Sequence, residues 1–326
     1  MIARRHGIIL FNLVGMCNRH ARGGRSLWLL MTHSSGIRSS SSTETAVRQG
    51  PGSDGSLPEY DKQLSDFHRS FEHELQAIVN DLPLSPNMHI LDLACGDGFY
   101  TRRIADRLGP GGAITGVDIN RAYLSEAGEE AFCQDERAKI DFIAASFDRL
   151  PFRDGTFDLV WCAQSLFTLP DPVAAIRHMV RVVRRGGIIA VLENDTLHEV
   201  CLPWPVYLEL PLRAAELRFF LEESQNSSKY YVGRRLPKVL AEAGLEPLGL
   251  TTHAFDRQAP LGEAEKALMR GYLKTVVARV SPYLELELLQ ELHQLVDPGS
   301  PTNMLEQPQL TMTWLNVLAL GRKPSV

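Results

Sequence analysis

Ile90-Leu91-Asp92-Leu93-Ala94-Cys95-Gly96-Asp97-Gly98 is the stretch on which the fold turns. Its apolar half is too short for a helix and reads as a buried strand, and the glycines that follow break it. Phe99 to Leu108 then has helical spacing and stops at Gly109-Pro110-Gly111-Gly112. A strand feeding a helix through a glycine turn is half of a βαβ unit. The pattern repeats outward. Ala113–Asp118 reads as a second strand, Arg121 to Phe132 as a second helix, Ile140–Ile143 as a third strand and Asp158–Cys162 as a fourth. Asp171 is placed to cap a helix whose Val173, Ile176, Val180 and Val183 share a face, with Gly186-Gly187 as its stop. Ile188–Leu192 is a fifth strand. Five strands alternating with helices require right-handed crossovers, hence an α/β, doubly wound, mostly parallel sheet.

The flanks extend this core. Pro58 to Leu82 spaces Leu64, Phe67, Phe71, Leu75 and Val79 about four residues apart, as one helix would. After the fifth strand, residues 195–235 hold Trp204, Tyr207, Phe219, Phe220, Tyr230 and Tyr231 in helical runs, about twice the aromatic density of the whole chain. Either an acceptor-binding lid or a plain additional helical layer accounts for them. A helix from Val232 to Ala243 leads to a sixth strand near Leu248–Thr252. Helices at Leu261–Val280 and Pro282–Val296 follow, and Thr311–Leu320 is a last strand. The expected organisation is a leader and linker over 1–57 and one domain over 58–326, with helical insertions at about 195–235 and 258–305.

Ligands of such sheets lie beyond the carboxyl ends of the strands, where the strand order reverses. The glycine turn after strand one lets backbone approach a ligand. Asp118, ending strand two, can accept hydrogen bonds from vicinal ribose hydroxyls, or simply cap the helix after it. A dinucleotide fingerprint needs a third small residue at position 101, where Thr101 stands.

Taken in order, LDLACGDG (91–98), ITGVDI (114–119), LPFRDGTFDLVWC (150–162) and LPDPVAAIRHMVRVVRRGG (169–187) resemble the class I S-adenosylmethionine-dependent methyltransferases. The resemblance is closest to the branch holding the ubiquinone/menaquinone-biosynthesis and other small-molecule methyltransferases. It implies a seven-stranded Rossmann-like sheet whose last strand is antiparallel, and S-adenosyl-L-methionine as cofactor. It further implies that Asp92, Ala94, Cys95, Gly96 and Gly98 wrap the methionine end, that Asp118 holds the ribose and that Ile119 packs on the adenine. Ser146 then takes the place of an aspartate that usually accepts from the adenine amino group, with Phe147 beside the ring. Cys162 and Gln164 line the cofactor and acceptor side. Ala94 replaces a frequent glycine.

A sulfonium methyl is already activated, so catalysis asks mainly for alignment and dryness. An oxygen acceptor of high pKa would also need a base. Glu193, Asp195 and His198 follow strand five, and His198 is best placed by pKa. The acceptor would meet Gln164, Trp204 and Tyr207. No spacing suggests metal ligands.

Composition excludes other classes. Of 326 residues, 44% are hydrophobic and 22% charged, the net charge is −5, and no apolar run reaches membrane-spanning length. Five scattered cysteines, without a CxxC pair, disfavour a disulfide scaffold and fit a reducing, cytoplasmic setting. No basic, aromatic-interleaved patch suggests nucleic acid. Residues 1–43 carry six arginines and no acid. Such a leader reads as a mitochondrial presequence, which would place the protein in the matrix, or as a disordered tail or upstream extension. Two alternatives to methyl transfer remain at this level. One is a methyltransferase fold kept only for binding or scaffolding, which Ser146 favours. The other is an NAD(P)-dependent oxidoreductase, which Thr101 disfavours.

Overall fold

The computed structural model describes residues 61–131, 138–196, 198–223 and 227–325. The leader and linker expected over 1–57 lie outside them, as does Phe132. The core repeats as β1 (His89–Leu93), α3 (Phe99–Leu108), β2 (Ala113–Asp118), α4 (Arg121–Ala131), β3 (Lys139–Ala144), β4 (Phe157–Ala163), α5 (Pro172–Val182) and β5 (Val183–Glu193). It is preceded by α1 (Asp61–Ser70) and α2 (Glu72–Asp81). After it come β6 (Val200–Cys201), α6 (Val206–Glu223), α7 (Val232–Glu242), β7 (Glu246–Gln258), α8 (Glu263–Val280), α9 (Leu286–Val296) and β8 (Thr311–Arg322).

The sheet order is β3-β2-β1-β4-β5-β8, with β7 and the two-residue β6 both pairing β8. Strands β1 to β5 are parallel; β8 runs antiparallel to β5, β6 and β7. The order reverses between β1 and β4, which fixes the ligand edge. Alternation along the strands sorts the core into two layers. Ile90, Leu159 and Trp161 face a layer with Phe67, Ile78, Ile104 and Leu268, while Leu91, Val160 and Cys162 face one with Ile176, Met179, Leu236 and Leu240.

Local chemistry accounts for the element ends. Asp171 accepts from the Ala174 N–H at 3.0 Å, with Pro172 in the first turn of α5. The C-terminal end of α5 departs from expectation: it stops at Val182, and Gly186-Gly187 lies inside β5 rather than ending the helix. The reason is tertiary. Lys323 pairs its backbone with Gly186 and Gly187, and its Nζ donates to the Val180 and Val183 carbonyls at 2.7 and 2.8 Å, supplying a cation to the helix terminus. The helix expected over 58–82 is likewise two helices, broken at Phe71, whose ring is wholly buried against Phe67, Phe255 and Trp314. The sixth strand is longer than expected, because Gly249–Gln258 pairs with β8 residue by residue. Leu284 and Glu285 precede α9 instead of forming part of it.

Ala94 stands in the left-handed region, φ 61°, where a Cβ costs about 1–2 kcal/mol. Ala94→Gly is expected to stabilise the protein by ~0.5–1 kcal/mol, the relief of that strain being partly offset by the added entropy of the unfolded chain. Denaturant unfolding checks it; an unchanged or lower midpoint refutes the strain.

Candidate functional site

The glycine turn closes β1 onto α3. The Cys95 N–H donates to the Val117 carbonyl and the Gly98 N–H to the Cys95 carbonyl, each at 3.0 Å. Gly98 precedes α3 at φ 77°, and a Cβ there would lie 3.1–3.2 Å from Ala127 and Phe142. Only glycine satisfies both demands.

Asp118 ends β2 at the mouth of this turn. Its Oδ2 accepts from the Gly96 N–H at 3.0 Å and its Oδ1 from the Asn120 N–H at 2.8 Å. Burial pushes its carboxyl up, against the pull of the Asn120, Gly96 and Ile119 N–H groups. Asp92 lies beneath, wholly buried, and accepts from the Thr101 hydroxyl at 2.6 Å. Burial raises its pKa to about 7, with Asp118 and Asp97 adding to the shift and Thr101 opposing it. Thr101 therefore occupies the third position of the turn as a hydrogen-bond donor to β1. Asp97 behaves oppositely. Burial alone would raise its carboxyl, but the His68 ring, the Phe99 N–H and Arg102 hold it below the usual carboxylate range.

Asp97 and Asp118 line one pocket with Leu64, His68, Tyr100, Tyr123 and Ala163–Ser165, while Asp92 and Thr101 lie behind it. Of the residues singled out from sequence, the pocket gathers Ala94, Cys95, Gly96, Asp118 and Gln164. Ile119 is exposed beside Asp118, and Ser146 and Phe147 are half-buried after β3. Cys162 is buried in the layer of the sheet that faces α5 and α7, and Ala163 and Gln164, not Cys162, reach the pocket. Trp204 is core against Leu208, whereas Tyr207 is largely exposed. His198 is also exposed; its Nδ1 meets Arg234 at 2.8 Å, and burial and the Arg234 charge hold its pKa below the usual imidazole value.

Sequence reasoning expected a helix here but missed that α1 forms part of the site. Leu64 and His68 project from it over the glycine turn. His68 stacks on Phe99 with centroids 3.9 Å apart, and its Nδ1 lies 3.3 Å from Asp97. The signal was present, since His68 stands one turn after Leu64, but nothing local ties that helix to residue 97.

Glu193, at the end of β5, is wholly buried. Its Oε1 accepts from the Ser165 and Leu166 N–H groups, which holds the segment after β4. Burial raises its pKa from 4.5 to about 8, against the pull of those N–H groups. Because the unfolded carboxyl ionises first, this contribution to stability is complete below about pH 4.5 and is lost as pH rises through about 8. Glu193→Gln keeps the acceptor and is expected to flatten the thermal midpoint between pH 5 and 9. A variant profile parallel to wild type sinks this account.

Residues 91–191 match the family described as "Methyltransferase domain". The demethylmenaquinone methyltransferase of Staphylococcus aureus is 32% identical over 118 residues, which cover 36% of this chain and 48% of the relative. The chain thus spans about half the length of that relative. Among solved structures, a SAM-dependent methyltransferase from Aquifex aeolicus is 17% identical, covering 60% of this chain and 92% of that one, at a TM-score of 0.46. The YcgJ protein from Bacillus subtilis is 13% identical, covering 78% and 99%, at 0.49. At such scores the fold assignment rests on the strand order itself. With the turn that Asp118 anchors inside it and the domain match across it, the 91–191 core is a methyltransferase domain of the class I S-adenosylmethionine-dependent type.

Proposed function

We propose that this protein binds S-adenosylmethionine in the Asp118 pocket and transfers its methyl group to a small, partly apolar molecule by in-line displacement. One observation carries the reading. The pocket at the strand-order reversal is lined by Asp97 and Asp118, with Asp92 beneath, and no lysine or arginine lines it among the described residues. That donor set fits a ligand with vicinal hydroxyls and positive charge, and is a poor host for a pyrophosphate, which needs cationic or N–H donors.

When bound, S-adenosylmethionine supplies a methyl group activated by its sulfonium charge. The chain's own residues do the rest. Asp118, pre-oriented by two N–H groups, would accept from the ribose hydroxyls through its remaining lone pairs. Asp97, kept ionised by His68, would favour the ammonium and sulfonium charges. Exposed Ile119 offers an apolar surface to the adenine. Leu64 and His68 on α1 cover the turn and exclude water. For a neutral acceptor, charge disperses in the transition state, so alignment and dryness serve without an acid or base.

The apolar character of the acceptor is supported by the layer behind Gln164, where Phe67, Phe71, Tyr272 and Trp314 pack beneath α1 and α8. The Staphylococcus relative, a demethylmenaquinone methyltransferase, points to a quinone precursor as one candidate. The family match ends at residue 191, before the segments that would select the acceptor.

Calorimetry on the full chain with S-adenosylmethionine, S-adenosylhomocysteine and NADH tests the reading. Micromolar binding of the first two and none of the third is expected. Binding of NADH alone, or of nothing by folded protein, overturns it.

A further inference from the structure

Behind Gln164, on the face of the sheet covered by α1, α6 and α8, lies a buried set of charges that the proposed cofactor site does not use. Gln164 is left-handed, φ 48°, and its Nε2 donates to Asn316 Oδ1 of β8 at 3.1 Å. Trp314, two residues back on the same face of β8, packs on Tyr272 of α8 with centroids 5.8 Å apart. Around Tyr272 stand Glu199, Arg213, Glu216 and Arg279, all of which act on its hydroxyl.

Arg279 is fully buried near the end of α8. Its Nη1 reaches Glu216 Oε1 at 3.5 Å, and its guanidinium lies 5.1 Å from the Phe220 ring centre. Among the described residues, neither Nε nor Nη2 has a hydrogen-bond partner. Those two N–H groups form one edge of the guanidinium, the edge whose parallel donors match the two oxygens of a carboxylate. Further unmatched groups are buried on the same face: Asn316 Nδ2 is a donor without an acceptor, and Glu199 Oε1, on a residue otherwise held by Asn194 Nδ2 at 2.9 Å, is also without a partner.

A guanidinium buried merely to brace a fold pairs its donors, since each unmatched buried donor costs about 1–3 kcal/mol. Burial pushes the Glu199 carboxyl well up, with Arg279 and Arg213 opposing and Glu216 adding to it. Arg279 and Arg213 both face Glu216, at 3.5 and 3.2 Å, and Arg213 also faces Glu209 of its own helix at 3.9 Å.

We propose that the Nε/Nη2 edge of Arg279 is the anchor of an acceptor subsite for an apolar monocarboxylate, placed on the sheet face behind Gln164 and Asn316. The proposal rests on the methyl-transfer reading for its purpose, but the anion subsite is tested separately. The surrounding rings of Phe220, Tyr272 and Trp314 suit an apolar body, and the two parallel N–H donors match the two oxygens of a carboxylate.

The full chain is titrated calorimetrically with octanoate and cinnamate, and with octanol and cinnamyl alcohol as uncharged controls, each with and without saturating S-adenosylhomocysteine. Wild type is expected to bind at least one carboxylate ten-fold or more tightly than its alcohol. Arg279→Lys, which keeps the charge but loses the parallel donors, should abolish that preference while binding S-adenosylhomocysteine within three-fold of wild type. That control also shows that the variant is folded. Equal binding of acids and alcohols, no binding of either by wild type (the result if buried water alone satisfies Arg279), or an unchanged preference in Arg279→Lys overturns the subsite. Carboxylate preference without any S-adenosylhomocysteine binding would keep the subsite and overturn the methyl-transfer reading instead.

Discussion

Asp118→Ala is expected to weaken S-adenosylhomocysteine binding by about 100-fold or more. Two hydrogen bonds from ribose hydroxyls to an ionised carboxylate are worth about 1.5–3 kcal/mol each, so their joint loss costs at least ~3 kcal/mol of affinity. The same substitution removes the acceptor for the Gly96 and Asn120 N–H groups, loosening the turn that closes β1 onto α3. Asp118→Asn separates these effects. It keeps one oxygen acceptor but carries no charge, and about a ten-fold loss is expected. Burial holds the Asp118 pKa above that of a free carboxylate, so wild-type affinity should also fall as the pH is lowered into the range where Asp118 protonates. Calorimetry with S-adenosylhomocysteine, run beside thermal unfolding of each variant, checks all three. Affinity within three-fold of wild type in the alanine variant would remove Asp118 from the site.

Gly233→Ala should cost about 1–3 kcal/mol of stability and carry a loss of acceptor turnover with it. Gly233 opens α7 against the segment that leaves β5. A Cβ there would lie 2.9 Å from the Asn194 carbonyl carbon, 3.0 Å from its oxygen and 3.2 Å from the Asp195 nitrogen. Those are backbone atoms, which cannot rotate away, so α7 or the segment must move. Asn194 in turn holds Glu199, which links the displacement to the buried charges under α8. Gly249→Ala is the control, because a Cβ there meets nothing within 4 Å and should change stability by less than about 0.5 kcal/mol. Equal unfolding midpoints for the two variants would contradict the close approach.

The parallel core and the glycine turn were legible because their signals are local. Apolar runs of strand length, breaker clusters and the Asp171 cap each act within a few residues, and the spacing of LDLACGDG to Asp118 is set by one βαβ crossover. The resemblance drawn from those stretches supplied the cofactor and singled out Asp118 as the residue to test.

What the sequence left open concerns partners far apart along the chain. Thr101 appeared only as a residue unsuited to a dinucleotide turn, and its bond to Asp92 gives it a positive role. Gly186-Gly187 looked like a helix stop until Lys323, 136 residues beyond Gly187, was seen to take both roles at that corner. His68 met Asp97, Gln164 met Asn316, and Arg279 met Glu216 only once α1, β8 and α8 had packed on one face of the sheet. Hydrophobic period and turn chemistry determine which elements form, since both are written within one or two turns of chain. Which polar groups are buried together, and which are left without a partner, depends on packing between elements whose separation in sequence carries no such signal. The sequence by itself therefore determined the fold and the cofactor edge, whereas only the tertiary structure decided the lid over that edge and the charged layer behind it.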